Sequence, residues 1–63
     1  MSYLYIVRVY EGEETYDYEY SNLKHATEHF NADKAERVEL IEYCWNSPAA
    51  TRTYKTLESK TKN

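Results

Sequence analysis

The alternation of apolar and polar residues predicts two strands at the start of the chain. Residues 2–10 are dense in β-branched and aromatic side chains on both faces, which is typical of a central strand. Glu11-Gly12-Glu13-Glu14 follows and predicts a turn, because glycine readily adopts the positive φ that tight turns need. Residues 15–20 then alternate strictly, with a tyrosine at every second position. The two segments therefore predict a β-hairpin.

A narrow apolar stripe predicts one helix after this hairpin. Leu23, Ala26 and Phe30 recur with helical spacing. The two residues before Leu23 are a serine and an asparagine, and either can cap the first helical turn. Asn31 is a suitable C-terminal end. The predicted helix has about three turns and lies on one face of a sheet.

The segment 35–46 fits either a helix or a strand. As a helix, it would place its large apolar residues on one side. As a strand, it is rich in β-branched and aromatic residues, and its pattern changes face near Leu40-Ile41, where a β-bulge would restore the pairing. The turn chemistry of residues 46–49 and the strand-like residues 51–57 favour a second hairpin. We therefore expect a strand.

These elements predict an α+β domain of order ββαββ, a four-stranded, mainly antiparallel sheet with one helix packed on one face. The domain covers residues 1–57, and residues 58–63 are expected to form a flexible basic tail. The expected core is apolar and combines strand and helix residues. It contains Leu4 or Val7, Ile6 or Val9, Leu23, Ala26, Phe30, Val38, Leu40 and Cys44.

Length and composition limit how such a domain is stabilised. A chain of 63 residues buries only about 60% of the surface that its unfolded form exposes. Its single cysteine, Cys44, excludes an internal disulfide, so we expect tight packing or dimerisation to supply stability. Cys44 lies in an apolar run and is expected to be a buried, unreactive thiol in a reducing, cytoplasmic setting. We expect no secretory signal and no membrane segment, because the chain shows neither pattern.

One short segment matches the H-x-x-E-H motif of a class of zinc proteases: His25-Ala26-Thr27-Glu28-His29. Histidines four residues apart share a helix face and can chelate a metal ion. A protease also needs a third ligand and a walled cleft, for which a chain of this length has little material. We therefore expect a solvated helix face at His25 and His29 rather than an evolved metal site.

Other catalytic chemistry lacks support in the sequence. The paired carboxylates of Glu13 and Glu14 lie in a predicted turn, which is solvated and offers no pocket for general acid–base chemistry. A single glycine cannot build a phosphate-binding loop. We expect a protein without enzymatic activity and without a cofactor.

Charge is distributed unevenly along the chain. The net charge of −3 combines −4 in residues 1–20, −2 in residues 21–50 and +3 in residues 51–63. This distribution can be ordinary solubility charge. Alternatively, the first hairpin is an acidic arm that meets a basic surface on a partner, since such asymmetry steers encounter and sets register.

The tyrosines point to the same hairpin, which contains six of the eight in the chain. A helix of three turns cannot cover both faces of the sheet, and a tyrosine-rich face left uncovered is typical of an interaction surface. Carboxylates interleaved with tyrosines also allow mimicry of nucleic-acid phosphates. The expected partner-binding residues are Glu13, Glu14, Tyr16, Asp17, Tyr18 and Glu19.

The chain resembles small bacteriophage-encoded proteins that modulate their host. The residues that carry this resemblance are 3–10 (YLYIVRVY), 21–26 (SNLKHA) and 35–43 (AERVELIEY). The resemblance covers most of the chain as a style of sequence and assigns no catalytic or binding residue. It implies a compact acidic protein that binds and inhibits or redirects one host protein, such as a polymerase, a nuclease or a defence complex.

Three hypotheses follow. The leading one is a non-enzymatic binding module that acts in the host cytoplasm through its acidic hairpin. The second is a structural homodimer joined through an uncovered tyrosine face or an edge strand. The third is a single-strand nucleic-acid binder with stacked tyrosines. It requires a basic groove built from Arg52, Lys55, Lys60 and Lys62.

Overall fold

The structure, a computed structural model, describes residues 2–46 and 51–62. These residues form one sheet and one helix. The elements are β1 (Ser2–Glu11), β2 (Glu14–Tyr20), α1 (Leu23–Ala32), β3 (Arg37–Asn46) and β4 (Thr51–Thr61). The strands lie in the order β2-β1-β3-β4, and all neighbours are antiparallel. The predicted α+β fold of order ββαββ is confirmed.

Local chemistry explains where the first elements begin and end. Gly12 has a φ of +62° in the turn between β1 and β2, a conformation that favours glycine. Asn22 caps α1, since its side-chain oxygen accepts hydrogen bonds from the backbone N–H groups of Lys24 at 2.7 Å and His25 at 3.4 Å.

No helix within the described residues combines the length and the apolar character needed to cross a membrane.

The segment that was ambiguous in the sequence is a strand. The register between β3 and β4 shifts between Leu40 and Ile41, the level at which a bulge was predicted in β3, but β3 itself keeps an unbroken register with β1 and does not change face. The additional residue lies in β4, because Leu40 pairs with Glu58 whereas Ile41 pairs with Thr56. The bulge releases Leu57 to pack against the core beneath the helix. Of the predicted turn, residues 47–49 lie outside the described part of the chain.

The C-terminal segment differs from the expected flexible tail, because β4 continues to Thr61. Cross-strand pairing accounts for the difference: Thr61 pairs with Arg37, and the backbone N–H of Lys62 donates to the carbonyl of Glu36 at 2.6 Å. The polar composition of residues 58–61 predicted a tail, whereas the first half of β3 supplies these residues with backbone partners.

The main core lies between the sheet and α1. Its buried residues are Val7, Val9, Ala26, Phe30, Val38 and Leu40. Two residues expected in this core lie elsewhere. Leu23 is 42% exposed because it is the first residue of α1 and lies close to the edge strand β2, which ends at Tyr20. Cys44 is half-buried because it pairs with Tyr3, at the end of β1 away from the core valines.

Candidate interaction surfaces

The sheet has two faces that differ in what covers them. The helix face carries the core residues of the strands and contacts α1. The other face, here the open face, carries the alternate residues of each strand. No element among the described residues packs on it. By register it contains Ser2, Leu4, Ile6, Arg8, Tyr10, Thr15, Asp17, Glu19, Arg37, Glu39, Ile41, Tyr43, Trp45, Arg52, Tyr54, Thr56, Ser59 and Thr61.

The predicted partner-binding residues do not share one face. Tyr16 and Tyr18 pair with the core valines of β1 and lie on the helix face. Asp17 and Glu19 alternate with them and lie on the open face. Glu13 lies in the turn. All six residues lie either on strand β2 or in the turn that precedes it.

Arg8 compensates one acidic residue of this hairpin. Asp17 accepts two hydrogen bonds from the Arg8 guanidinium, from Nε at 2.8 Å and from Nη2 at 3.1 Å. This bidentate pair lowers the pKa of the Asp17 carboxyl and raises the pKa of Arg8, because each charge stabilises the other. Asp17 therefore serves the cross-strand contact between β1 and β2.

The tip of the hairpin holds uncompensated negative charge. Glu11 and Glu14 lie directly opposite each other, an arrangement of like charges that costs stability. The Tyr16 hydroxyl donates a hydrogen bond to the Glu14 carboxylate, which raises the pKa of Tyr16. Within residues 2–46 and 51–62, no basic side chain forms an ion pair with Glu11, Glu13 or Glu14. A basic group on a partner would relieve this repulsion.

The strand β2 is also an open edge of the sheet. It pairs only with β1 among the described strands, so its outer edge presents unpaired backbone groups. Six of its seven residues are exposed, and its register with β1 is regular. The opposite edge strand, β4, contains the bulge and three of the basic residues, features that discourage pairing with a further strand.

The residues of the H-x-x-E-H motif differ in exposure and in their contacts. His25 and Glu28 are exposed on α1. His29 is half-buried, with the Tyr20 hydroxyl 2.6 Å from Nδ1 and Asp33 Oδ2 2.9 Å from Nε2. Among the described residues, no group of three or more histidine, cysteine or carboxylate side chains could hold a metal ion. His29 ties the helix to β2, a role that the sequence pattern did not indicate.

The open face has an apolar end. Ile6 and Ile41 lie opposite each other and are only 8% and 5% exposed, although no helix of the described part of the chain covers them. Leu4, Tyr43 and Tyr54 surround them, and the two tyrosine rings pack with their centroids 4.9 Å apart. Leu4, Ile6, Tyr43, Tyr54 and Glu19 line a shallow groove of about 270 Å³.

The other end of the open face is polar and internally paired. Besides the pair of Arg8 and Asp17, Arg37 contacts Glu39 at 3.2 Å, and the Tyr10 hydroxyl donates to Glu39 at 2.6 Å. The Arg37 guanidinium lies 4.9 Å from the centre of the Tyr10 ring. These charges satisfy one another, so the apolar end is the part of this face that is free to recognise a partner.

The tyrosines are arranged differently from the expected ladder. Of the six in the first hairpin, only Tyr10 lies on the open face. The aromatic residues that are open to a partner on that face come from the second hairpin, as Tyr43, Trp45 and Tyr54. Their alternation along β3 and β4 was the signal in the sequence, but it does not show which face the helix covers.

The basic residues required for nucleic-acid binding do not line one groove. Arg52 lies on the open face, whereas Lys55 and Lys60 lie on the helix face. Lys60 is engaged there, with its ammonium 5.0 Å from the centre of the Phe30 ring. Lys62 follows the end of β4.

Comparison of the chain with protein-family models, with curated proteins and with solved structures finds no match.

Proposed function

We propose that the protein is a non-enzymatic binding module that adds an extended, basic segment of a partner protein to the outer edge of β2. One observation carries this proposal. β2 is an exposed edge strand with a regular register, and every charged side chain on it is acidic. Backbone hydrogen bonds along such an edge supply affinity, and the alternating side chains supply specificity.

The side chains of β2 suit this mode of binding. Tyr16 and Tyr18 flank the edge on the helix face and are 42% and 46% exposed. Tyrosine offers a large, rigid contact area and a hydroxyl that tolerates water, so it is a common interface anchor. Glu19 lies on the opposite face of the same strand and can meet a basic side chain of the added strand.

The acidic charge also explains why this edge would select a partner of different sequence. Two β2 strands from separate copies would bring carboxylates against carboxylates, which disfavours self-pairing along the edge. A basic segment meets no such repulsion. The uncompensated carboxylates of Glu11, Glu13 and Glu14 would attract it from a distance, an effect that salt weakens.

The more specific role implied by the resemblance remains a prediction. A phage-encoded protein that binds a strand-forming segment of a host polymerase, nuclease or defence complex would inhibit that protein by occluding the segment. Such a protein would act in the host cytoplasm. Strand addition at β2 gives this predicted role a physical mechanism without requiring a catalytic residue.

The test uses a synthetic peptide of alternating lysine and valine with the length of β2, seven residues. We expect titration with this peptide to shift the amide NMR signals of Glu14–Tyr20, with smaller effects on β4. The double substitution Glu13→Lys/Glu14→Lys should weaken binding by about tenfold, because it removes attraction and adds repulsion.

The matched control is Glu28→Lys/Glu36→Lys, which changes the net charge equally at two exposed residues away from β2. This control should lose much less affinity than the hairpin variant. Equal losses in both variants, or peptide-induced shifts scattered over the surface, would show that the peptide responds only to net charge. Either result would refute strand addition at β2.

A further inference from the structure

We propose that the apolar end of the open face is a self-association surface, on which a second copy of the chain packs face to face about a twofold axis. The surface consists of Leu4, Ile6, Ile41, Tyr43 and Tyr54, with Glu19 and Arg52 at its corners. This inference does not rest on the proposed binding at the outer edge of β2, although Glu19 belongs to both surfaces. Sedimentation of the chain without peptide therefore tests it separately.

The two corner charges are free to pair with another molecule. Neither Glu19 nor Arg52 forms an ion pair within the part of the chain that the structure describes. Every other charged residue on this face is paired. A surface that carries one free acid and one free base at opposite corners is complementary to a rotated copy of itself.

The strand register places these corners symmetrically about the apolar centre. Glu19 lies on β2 level with Ile6, and Arg52 lies on β4 level with Ser2. From ordinary strand spacing and rise, they are separated by roughly 14 Å across the strands and roughly 14 Å along them. The point midway between them falls between Leu4 and Tyr43, which lie opposite each other at the centre of the patch.

A twofold axis in the plane of the interface, through this midpoint, can bring Glu19 of each copy against Arg52 of the other. Because the two separations are nearly equal, the axis runs at about 45° to the strands, and the strands of the two copies cross at about 90°. Crossing at a right angle is one of the two common ways in which sheets pack face to face. The charges and the packing rule therefore agree on one arrangement.

The same rotation also matches the apolar side chains. It carries Tyr54, which is 63% exposed, over Ile6 and Ile41 of the other copy. The groove beside these isoleucines is thus the place where the most exposed tyrosine of the partner lies. Each copy contributes both the projecting ring and the surface that receives it, as an isologous interface requires.

The size of the patch sets the expected strength. Four strands over the rows from Ser2 to Ile6 present roughly 350 Å² in projection, less than the roughly 800 Å² per partner of a standard interface. We therefore expect a reversible dimer with a dissociation constant on the order of 100 µM.

The test is sedimentation equilibrium over a concentration series that reaches about 1 mM. Glu19→Arg and Arg52→Glu should each weaken dimerisation by about tenfold, because symmetry makes each substitution act at two contacts. The double variant Glu19→Arg/Arg52→Glu restores opposite charges and should recover most of the affinity. Tyr54→Ser should also weaken the dimer.

Two controls separate this surface from general effects of charge and aromatic loss. Lys55→Glu makes a like change of charge on β4 but on the helix face, and Tyr16→Ser removes an exposed tyrosine from the helix face. Both should dimerise like the unmodified chain. The proposal is overturned if the unmodified chain is a monomer at about 1 mM, if the double variant fails to recover affinity, or if the controls dissociate equally. Binding of an oligonucleotide by a monomeric chain through Tyr54 would also overturn it.

Discussion

The two faces of the sheet bury apolar residues in different ways. On the helix face, Ala26 and Phe30 cover four strand residues, all of them at most 4% exposed. On the open face, Ile6 and Ile41 are 8% and 5% exposed, and among the described residues only neighbouring strand side chains surround them. The first arrangement completes a core within one chain. The second leaves Tyr54 largely in solvent, so it provides a surface that another molecule can use.

Strand β1 contributes to both faces through alternate residues. Val7 and Val9 point into the helix-side core, whereas Ile6 packs on the open face. A 63-residue chain has little apolar surface to bury. Folding energy therefore comes mainly from the helix face, and we propose that recognition uses the open face and the β2 edge.

Phe30→Ala should have the largest effect, because Phe30 is the large helix residue in the core and is 5% exposed. Truncation of a buried phenylalanine typically costs about 3–5 kcal/mol, which is much of the stability of a domain this small. Urea denaturation followed by circular dichroism should show a chain that is largely unfolded in water. A loss below about 1 kcal/mol would mean that the helix face does not dominate folding.

Ile41→Ala should cost less, about 2 kcal/mol, the lower end for a buried isoleucine. Within residues 2–46 and 51–62, strand neighbours cover Ile41 and α1 does not, so the surrounding side chains can partly close the cavity. The same denaturation experiment, at a concentration low enough to keep the chain monomeric, measures this value. A loss equal to that of Phe30→Ala would remove the energetic distinction between the faces.

Acid should destabilise both sides of the sheet through carboxyls with lowered pKa values. On the helix side, the Asp33 carboxyl accepts a hydrogen bond from the Ala35 backbone N–H and contacts His29, which lowers its pKa. On the open face, the contact with Arg8 lowers the pKa of Asp17. A carboxyl with a lowered folded-state pKa stabilises the fold above its unfolded pKa of about 3.9, and this stabilisation is lost as pH falls further.

We therefore expect the free energy of unfolding to fall below about pH 4. Asp33→Asn and Asp17→Asn should each reduce the steepness of that fall, because each removes one group that takes up a proton on unfolding. Urea titrations between about pH 2.5 and pH 6 measure the slope. Unchanged slopes in both variants would contradict the assignment of these two contacts.

Alternation in the sequence was sufficient to predict the element order. It also indicated the level of Leu40-Ile41, where the pairing shifts, but it placed the bulge in β3 whereas the extra residue lies in β4. Alternation was not sufficient to predict which strand residues face the helix. Strand β1 is apolar on both sides, so either Leu4 or Val7 could have packed against the helix. Leu23 was predicted in the core from its helical spacing, which does not show where the helix begins relative to the sheet. The end of β4 was missed because backbone pairing leaves no apolar pattern in residues 58–61.

The concentration dependence of the NMR spectrum of the unmodified chain tests the central claim most directly. Amide and methyl signals would be compared from about 20 µM to about 1 mM. The division between faces predicts shifts at Leu4, Ile6, Tyr43 and Tyr54, with the signals of Ala26 and Phe30 unchanged. A spectrum that is independent of concentration, or shifts centred on the helix face, would contradict the claim that the open face is a recognition surface.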